Sequence, residues 1–408
     1  MEFWILIAGF LAGIYMAWNI GANDVANGMA SAVGAKAITL RQAVLIGGLL
    51  DFAGAVLLGS HVTTTIRKNI LDASLITNDH QIMMLGLLSA LLAAAFWVFF
   101  ATWSEFPVST THSIVGAIVG FGLIEGGIRA IHWGKLLAIV LSWIISPIFA
   151  GFLAFIFFNF IKKHILESSK RFATALRLAP YLAALTFFLV VLSLLLKTPL
   201  GSKLKISLFT ALEMSLLISI IIGFLAYFWI KITVPFDDEK GVEEIFRRFQ
   251  IFTSCYVAFA HGANDVANAI GPVAAIYAIY QTHTVSPNVP VPMFILLVGG
   301  VFIALGVFTW GYKVIETVGS KITTLTNTRG FSVDFGTATS VLLASKLGLP
   351  VSTTHAAVGA VIGVGLAGGV SAVDFGVVWR ITLYWLITLP LAALPTIIIF
   401  EILKFLFM

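Results

Sequence analysis

Seven residues, Gly21-Ala22-Asn23-Asp24-Val25-Ala26-Asn27, return letter for letter as Gly262-Ala263-Asn264-Asp265-Val266-Ala267-Asn268. A second pair, Pro107-Val108-Ser109-Thr110-Thr111-His112 and Pro350-Val351-Ser352-Thr353-Thr354-His355, follows in the same order, at offsets of 241 residues for the first pair and 243 for the second. The chain therefore consists of two related halves, each with one carboxylate motif and one hydroxyl motif. The surrounding sequence is apolar: 59% of the 408 residues are hydrophobic and 11% charged, with a mean hydropathy of +1.02. A soluble domain carries about 25% charged residues, so this composition is that of an integral membrane protein. The polar motifs sit where lipid would otherwise be expected.

The pattern along the chain predicts an all-α polytopic membrane protein. Its expected parts are a first repeat over 1–165, linking helices and cytoplasmic loops over 166–249, and a second repeat over 250–408. Residues 3–33 read as a helix broken at its polar motif, and 250–279 as its counterpart. A glycine on each side of Asn-Asp is expected to let each helix unwind. Residues 81–124 and 335–366 read as helical hairpins, with breaks at Glu105-Phe106-Pro107 and Gly348-Leu349-Pro350. Proline cannot continue a helix and serine caps the next one. A second piece of about 15 residues is too short for roughly 30 Å of hydrocarbon, which favours re-entrant hairpins. Residues 61–80 read as a short amphipathic element and a loop.

If each hairpin returns to its own side, the halves make three net crossings each and the linking pair two, so the repeats are inverted. Placing 161–177 in the cytoplasm puts 15 Lys/Arg inside, 8 outside and Lys346 within a hairpin, with both termini extracytoplasmic in the cell membrane. Cys255 is the only cysteine, so no intramolecular disulfide forms, and no basic, aromatic-interleaved segment points to nucleic acid.

Asn23, Asp24 and Asn27 share a wide helical face, as do Asn264, Asp265 and Asn268. An intramembrane charge costs roughly 2.5–3.5 kcal/mol on insertion scales, so it is normally paired or functional. Carboxylate, carboxamide and freed backbone oxygens suit a hard cation such as sodium. A duplicated kink with no other role is the bland alternative, and two identical copies count against it. In the second motif, backbone N–H groups and the hydroxyls of Ser109, Thr110, Thr111 and of Ser352, Thr353, Thr354 converge at helix N-termini, which is an anion site. His112 and His355 read as hydrogen-bonding structural residues rather than proton carriers. Two unit charges 4 Å apart at an effective dielectric near 20 interact by about 4 kcal/mol, so an oxyanion beside Asp24 and Asp265 is repelled until cations intervene. Cation and anion binding are thereby coupled, with at least two cations per anion.

These strings, with Lys313-Val314-Ile315-Glu316-Thr317-Val318-Gly319, resemble the inorganic phosphate transporter (PiT) family in its sodium-dependent branch. The resemblance spans both halves. It implies sodium symport of phosphate by alternating access at the midplane. Asn23, Asp24, Asn264 and Asp265 would hold sodium, and Ser109, Thr110, Thr111, Ser352, Thr353, Thr354, Asn27 and Asn268 would contact phosphate. The central segment is shorter than in longer family members. Close relatives carry sulfate and others couple to protons, so a proton-coupled phosphate or sulfate permease is the nearest alternative. Outside the transporter class stand an intramembrane hydrolase, which a duplicated symmetric set disfavours, and an anion channel. A homodimer is the assembly common among such transporters, although no interface motif is visible here.

Overall fold

The computed structural model describes residues 1–59, 79–197, 206–234, 239–285, 291–346 and 351–408. The breaks expected at Gly348-Leu349-Pro350 and the element expected over 61–80 fall essentially outside these residues. The described chain is helical. In the first half α1 (Glu2–Asp24) and α2 (Ala26–Gly34) are followed by α3 (Leu40–Leu58), α4 (His80–Trp103), α5 (Thr110–Gly126) and α6 (Trp133–Ile161). Two linking helices come next, α7 (Arg171–Lys197) and α8 (Leu208–Thr233). The second half holds α9 (Glu239–Thr282), α10 (Met293–Trp310), a single turn α11 (Tyr312–Glu316), α12 (Asn327–Lys346), α13 (Thr353–Ala367) and α14 (Phe375–Phe407). Eight helical segments among the described residues are long and apolar enough to cross a membrane.

The halves interleave. α6, which ends the first half, packs on α12 and α13 of the second; α14, which ends the second, packs on α4 and α5 of the first. Likewise α1 packs on α10, and α9 on α3. Corresponding local details repeat: Gly127 and Gly369 both have positive φ, at 68° and 114°, and each precedes a short 3-10 turn. α8 leans mainly on α7 and shows outward large apolar residues such as Phe224 and Ile232, as suits a helix facing lipid.

The helix expected to break over 250–279 does not: α9 is one helix of 44 residues, about 66 Å at 1.5 Å per residue, and the second Asn-Asp motif lies inside it. In the first copy the interruption is confined to Val25, whose φ of −55° and ψ of −27° remain helical. Unwinding a helix in hydrocarbon strands N–H and C=O groups that nothing nearby satisfies. The flanking glycines serve close crossings instead. A Cβ at Gly21 would collide with the carbonyl of Ile303 on α10, and one at Gly262 with the carbonyl of Asp51 on α3. Each motif is thus pressed against the second long helix of the opposite half.

Candidate functional site

Both hairpins end in the same cap. Ser109 and Ser352 have φ of −84° and −83° with ψ of 115°, and each Oγ accepts the N–H three residues on, from His112 and His355 respectively, at 3.2 Å. The N-termini of α5 and α13 are therefore rigidly formed, and the threonines that follow point at the carboxylates. Thr110 Oγ1 donates to Asp24 Oδ2 (2.7 Å), and Thr353 Oγ1 to Asp265 Oδ2 (3.1 Å). The second asparagine of each motif crosses to the other half's hairpin. Asn27 Nδ2 donates to Thr353 (3.3 Å) and Thr354 (3.0 Å), and Asn268 Nδ2 to Thr110 and Thr111, both at 3.1 Å. All of these side chains are buried. Two helix N-termini and two carboxylates consequently share one enclosed polar site, built by both halves.

The first asparagines break this symmetry. Asn23 is fully buried, and its carboxamide is taken up by hairpin 1: Nδ2 donates to Thr102 Oγ1 (2.9 Å) and to the Phe106 carbonyl (3.1 Å), while Oδ1 accepts from Val108 N–H (3.0 Å). Asn264 is half-buried and donates to Asp265 Oδ1 at 3.1 Å. It borders a cleft of about 70 Å³, which is also lined by His261, Thr353, Leu58 of α3, Ser193 of α7 and Thr337 of α12. Glu105 of hairpin 1 pairs with Lys321 at 3.0 Å.

Three further buried residues, His261, Asp51 and Asp334, lie outside the repeated motifs that the sequence singles out. His261 lies between the carboxylates: Nε2 is 3.0 Å from Asp265 Oδ2 and 3.6 Å from Asp24 Oδ2, and Nδ1 is 3.0 Å from Asp51 Oδ1. A histidine four residues before Asp265 shares its helical face, so the spacing is itself a signal; the pseudo-equivalent position holds Ile20, so His261 has no repeated counterpart. Asp24, His261 and Asp265 bring ligand atoms within 4.8 Å of one another, close enough to share one cation. Asp334 is buried with a hydroxyl shell of its own, from Ser31 (2.6 Å), Thr253 (2.8 Å) and Ser254 (2.6 Å). It has no sequence counterpart in the first half.

The histidines that close the hydroxyl motifs are stacked on tryptophans. His112 lies on Trp143 of α6 with ring centroids 3.4 Å apart, His355 on Trp385 of α14 at 3.7 Å, and the two imidazoles meet edge to face at 4.3 Å. His355 Nδ1–H donates to the Trp143 carbonyl (3.1 Å), and Trp385 Nε1 to the Pro107 carbonyl (3.2 Å). The stack ties one hairpin to the other behind the site.

A family model described as the phosphate transporter family matches residues 20–396. A protein of Pyrococcus abyssi that bears the provisional name phosphate permease is 48% identical over 404 residues, covering 99% of this chain and 98% of its own. The inorganic phosphate transporter 2-1, chloroplastic, of Arabidopsis thaliana is 40% identical over 415 residues, 96% of this chain and 71% of that protein. A solved structure described as the sodium-dependent phosphate transporter superposes with a TM-score of 0.90 at 46% identity, covering 98% of this chain and 99% of its own. Through matches that run nearly end to end and take in both repeated motifs, this chain belongs to the phosphate transporter family.

Proposed function

We propose that the chain imports inorganic phosphate with sodium across the plasma membrane, by alternating access around the site shared by its halves. The observation that carries this reading is the convergence of two capped helix N-termini, with Thr110 and Thr353, on Asp24 and Asp265. Phosphate accepts from the threonine hydroxyls and the free N–H groups of α5 and α13. Sodium ions at Asp24 and Asp265 offset the repulsion between those carboxylates and the anion, so each species binds better with the other present. Asn27 and Asn268 hold the threonines and sense occupancy of the opposite half. The similarity to a structure described as a sodium-dependent phosphate transporter supports the choice of cation and anion.

In this reading 1–165 and 250–408 are the inverted repeats, 166–249 links them, and both termini lie outside. The cleft beside Asn264 is lined on α9 by residues that precede Asp265, on the side of the motif away from Glu2, which the chain meets at His283 just after α9 ends. Phosphate exchanges with that side in the state described here. Asn23 holds hairpin 1, which opens at His80 on the face of the N-terminus, closed over the site. In the opposite state Asn264 would take hairpin 2 as Asn23 now takes hairpin 1.

One observation favours a second reading. His261 contacts both aspartates, a position from which an imidazole can carry a proton in place of a sodium ion. Radiolabelled phosphate uptake into proteoliposomes separates the two, with an inward sodium gradient, a matched potassium gradient or a proton gradient, and excess sulfate in parallel. Sodium-driven, sulfate-resistant uptake lost in Asp24→Asn and Asp265→Asn supports symport with sodium. Uptake driven by protons alone, or abolished by sulfate, overturns the ion or substrate assignment.

A further inference from the structure

Outside the central site, three chain segments bring nitrogen and oxygen ligands together on the face of the N-terminus. Glu2 opens α1, His80 opens α4, and His283 follows the last residue of α9. His80 Nε2 lies 2.8 Å from Glu2 Oε1, and His283 Nδ1 lies 3.1 Å from Glu2 Oε2. The ligand atoms of all three residues fall within 4.8 Å of one another, and the two imidazoles stand edge to face with centroids 5.4 Å apart. Gln81 Nε2 also donates to Glu2 Oε1 at 3.0 Å, which fixes the carboxylate in place.

Two imidazoles and one carboxylate form a ligand set of the kind that zinc takes, with the fourth position left to water, whereas sodium and calcium prefer oxygen alone. A tetrahedral ion with bonds of about 2.0–2.1 Å places its ligand atoms roughly 3.3 Å apart; the two carboxylate–imidazole separations, 2.8 and 3.1 Å to the two oxygens of Glu2, lie a few tenths of an ångström below that, and all three ligand atoms stay within 4.8 Å of one another. The site is accessible: the side chains of Glu2 and His80 are 16% and 28% exposed, and that of His283 is 62% exposed.

We propose that Glu2, His80 and His283 form a surface site for a zinc-type divalent cation, which clamps α1 and α4 of the first half to α9 of the second. These helix ends belong to both repeats, so an ion held among them opposes their relative movement. The inference does not depend on which ion drives transport.

The test is isothermal titration of Zn²⁺ into the purified full chain in detergent, in phosphate-free buffer, after stripping with a chelator. Wild type is expected to bind one more zinc ion per chain than His80→Ala/His283→Ala. Each single variant, and Glu2→Gln, is expected to bind at least ten-fold more weakly, while His132→Ala retains the site. Metal-free phosphate uptake and an unchanged gel-filtration profile show that the variants fold. In proteoliposomes, zinc should slow uptake by wild type and leave the double variant unaffected. Equal zinc binding by wild type and the double variant overturns the site and reduces the cluster to a hydrogen-bonded clasp; uptake by zinc-loaded wild type that is as fast as in its absence overturns the clamp.

Discussion

Asn23 and Asn264 occupy the same position in identical heptapeptides and have different partners, so replacing each with alanine should give unequal results. Asn23→Ala deletes three hydrogen bonds and leaves the Phe106 carbonyl and the Val108 N–H without the carboxamide that satisfies them. A buried polar group deprived of its partner costs about 1–3 kcal/mol, so two such groups place the loss at about 2–6 kcal/mol. Asn264→Ala removes one bond to Asp265 from a half-buried side chain, and the same reasoning gives about 0.5–1.5 kcal/mol. If hairpin 1 stays closed because Asn23 holds it, that loss falls on the state described here. The balance between states then moves by a factor of roughly 30 or more, at 1.4 kcal/mol per tenfold. The assay is thermal unfolding of both variants in detergent, paired with the rate at which a cysteine introduced at Phe106 is labelled from each side of a vesicle. Asn23→Ala should unfold at the lower temperature and expose residue 106 faster. Equal unfolding temperatures together with equal labelling would refute the claim that the two asparagines do different work.

Three further outcomes follow from the packing. Gly262→Ala drives a methyl group into the backbone of α3 at Asp51, a clash that only helix separation relieves; at about 1–3 kcal/mol or more for overpacking, the expected result is loss of monodisperse protein on gel filtration. Ser352→Ala removes the cap of α13 and should cost about 1 kcal/mol in thermal stability, with weaker phosphate binding by direct titration, since the N–H groups it orders are those that the proposed function offers to the anion. Trp385→Phe keeps an aromatic ring over His355 but removes the bond to the Pro107 carbonyl; uptake should fall several-fold with little change in expression, and an unaltered rate would remove the tryptophan from any positioning role.

Much of the architecture was legible because duplication writes the same constraint twice. Two copies of Asn-Asp in apolar sequence pointed to the buried polar cluster in which the structure brings them together, and Pro-Val-Ser-Thr-Thr marked helix starts that the structure places at Thr110 and Thr353. What failed was the reading of glycine. Gly21 and Gly262 can signal either a helix that unwinds or a helix that is crossed closely, and no local pattern separates these; the deciding atoms, the carbonyls of Ile303 and Asp51, lie hundreds of residues away. Asp334 was invisible for a related reason, since its three hydroxyl partners come from α2 and α9. His261 is the exception, because its spacing from Asp265 was in plain view.

That histidine matters to the logic of the whole site. Two inverted repeats with identical surroundings would give two end states related by the pseudo-two-fold axis and equal in energy, and nothing in the protein itself would favour one. His261 and Asp51 stand on one side of the pseudo-symmetry, opposite Ile20, and bring a third carboxylate and an imidazole to a centre otherwise made of matched pairs. Because Asp51 belongs to α3 and Asp265 to α9, their shared histidine couples the site to the same helix crossing that Gly262 makes tight. Under the proposed function, a change of charge at Asp24 or Asp265, whether by sodium or by a proton, acts on that crossing; the repeated motifs then supply the binding groups, and the residues that are not repeated supply the difference between the two ways of closing around them.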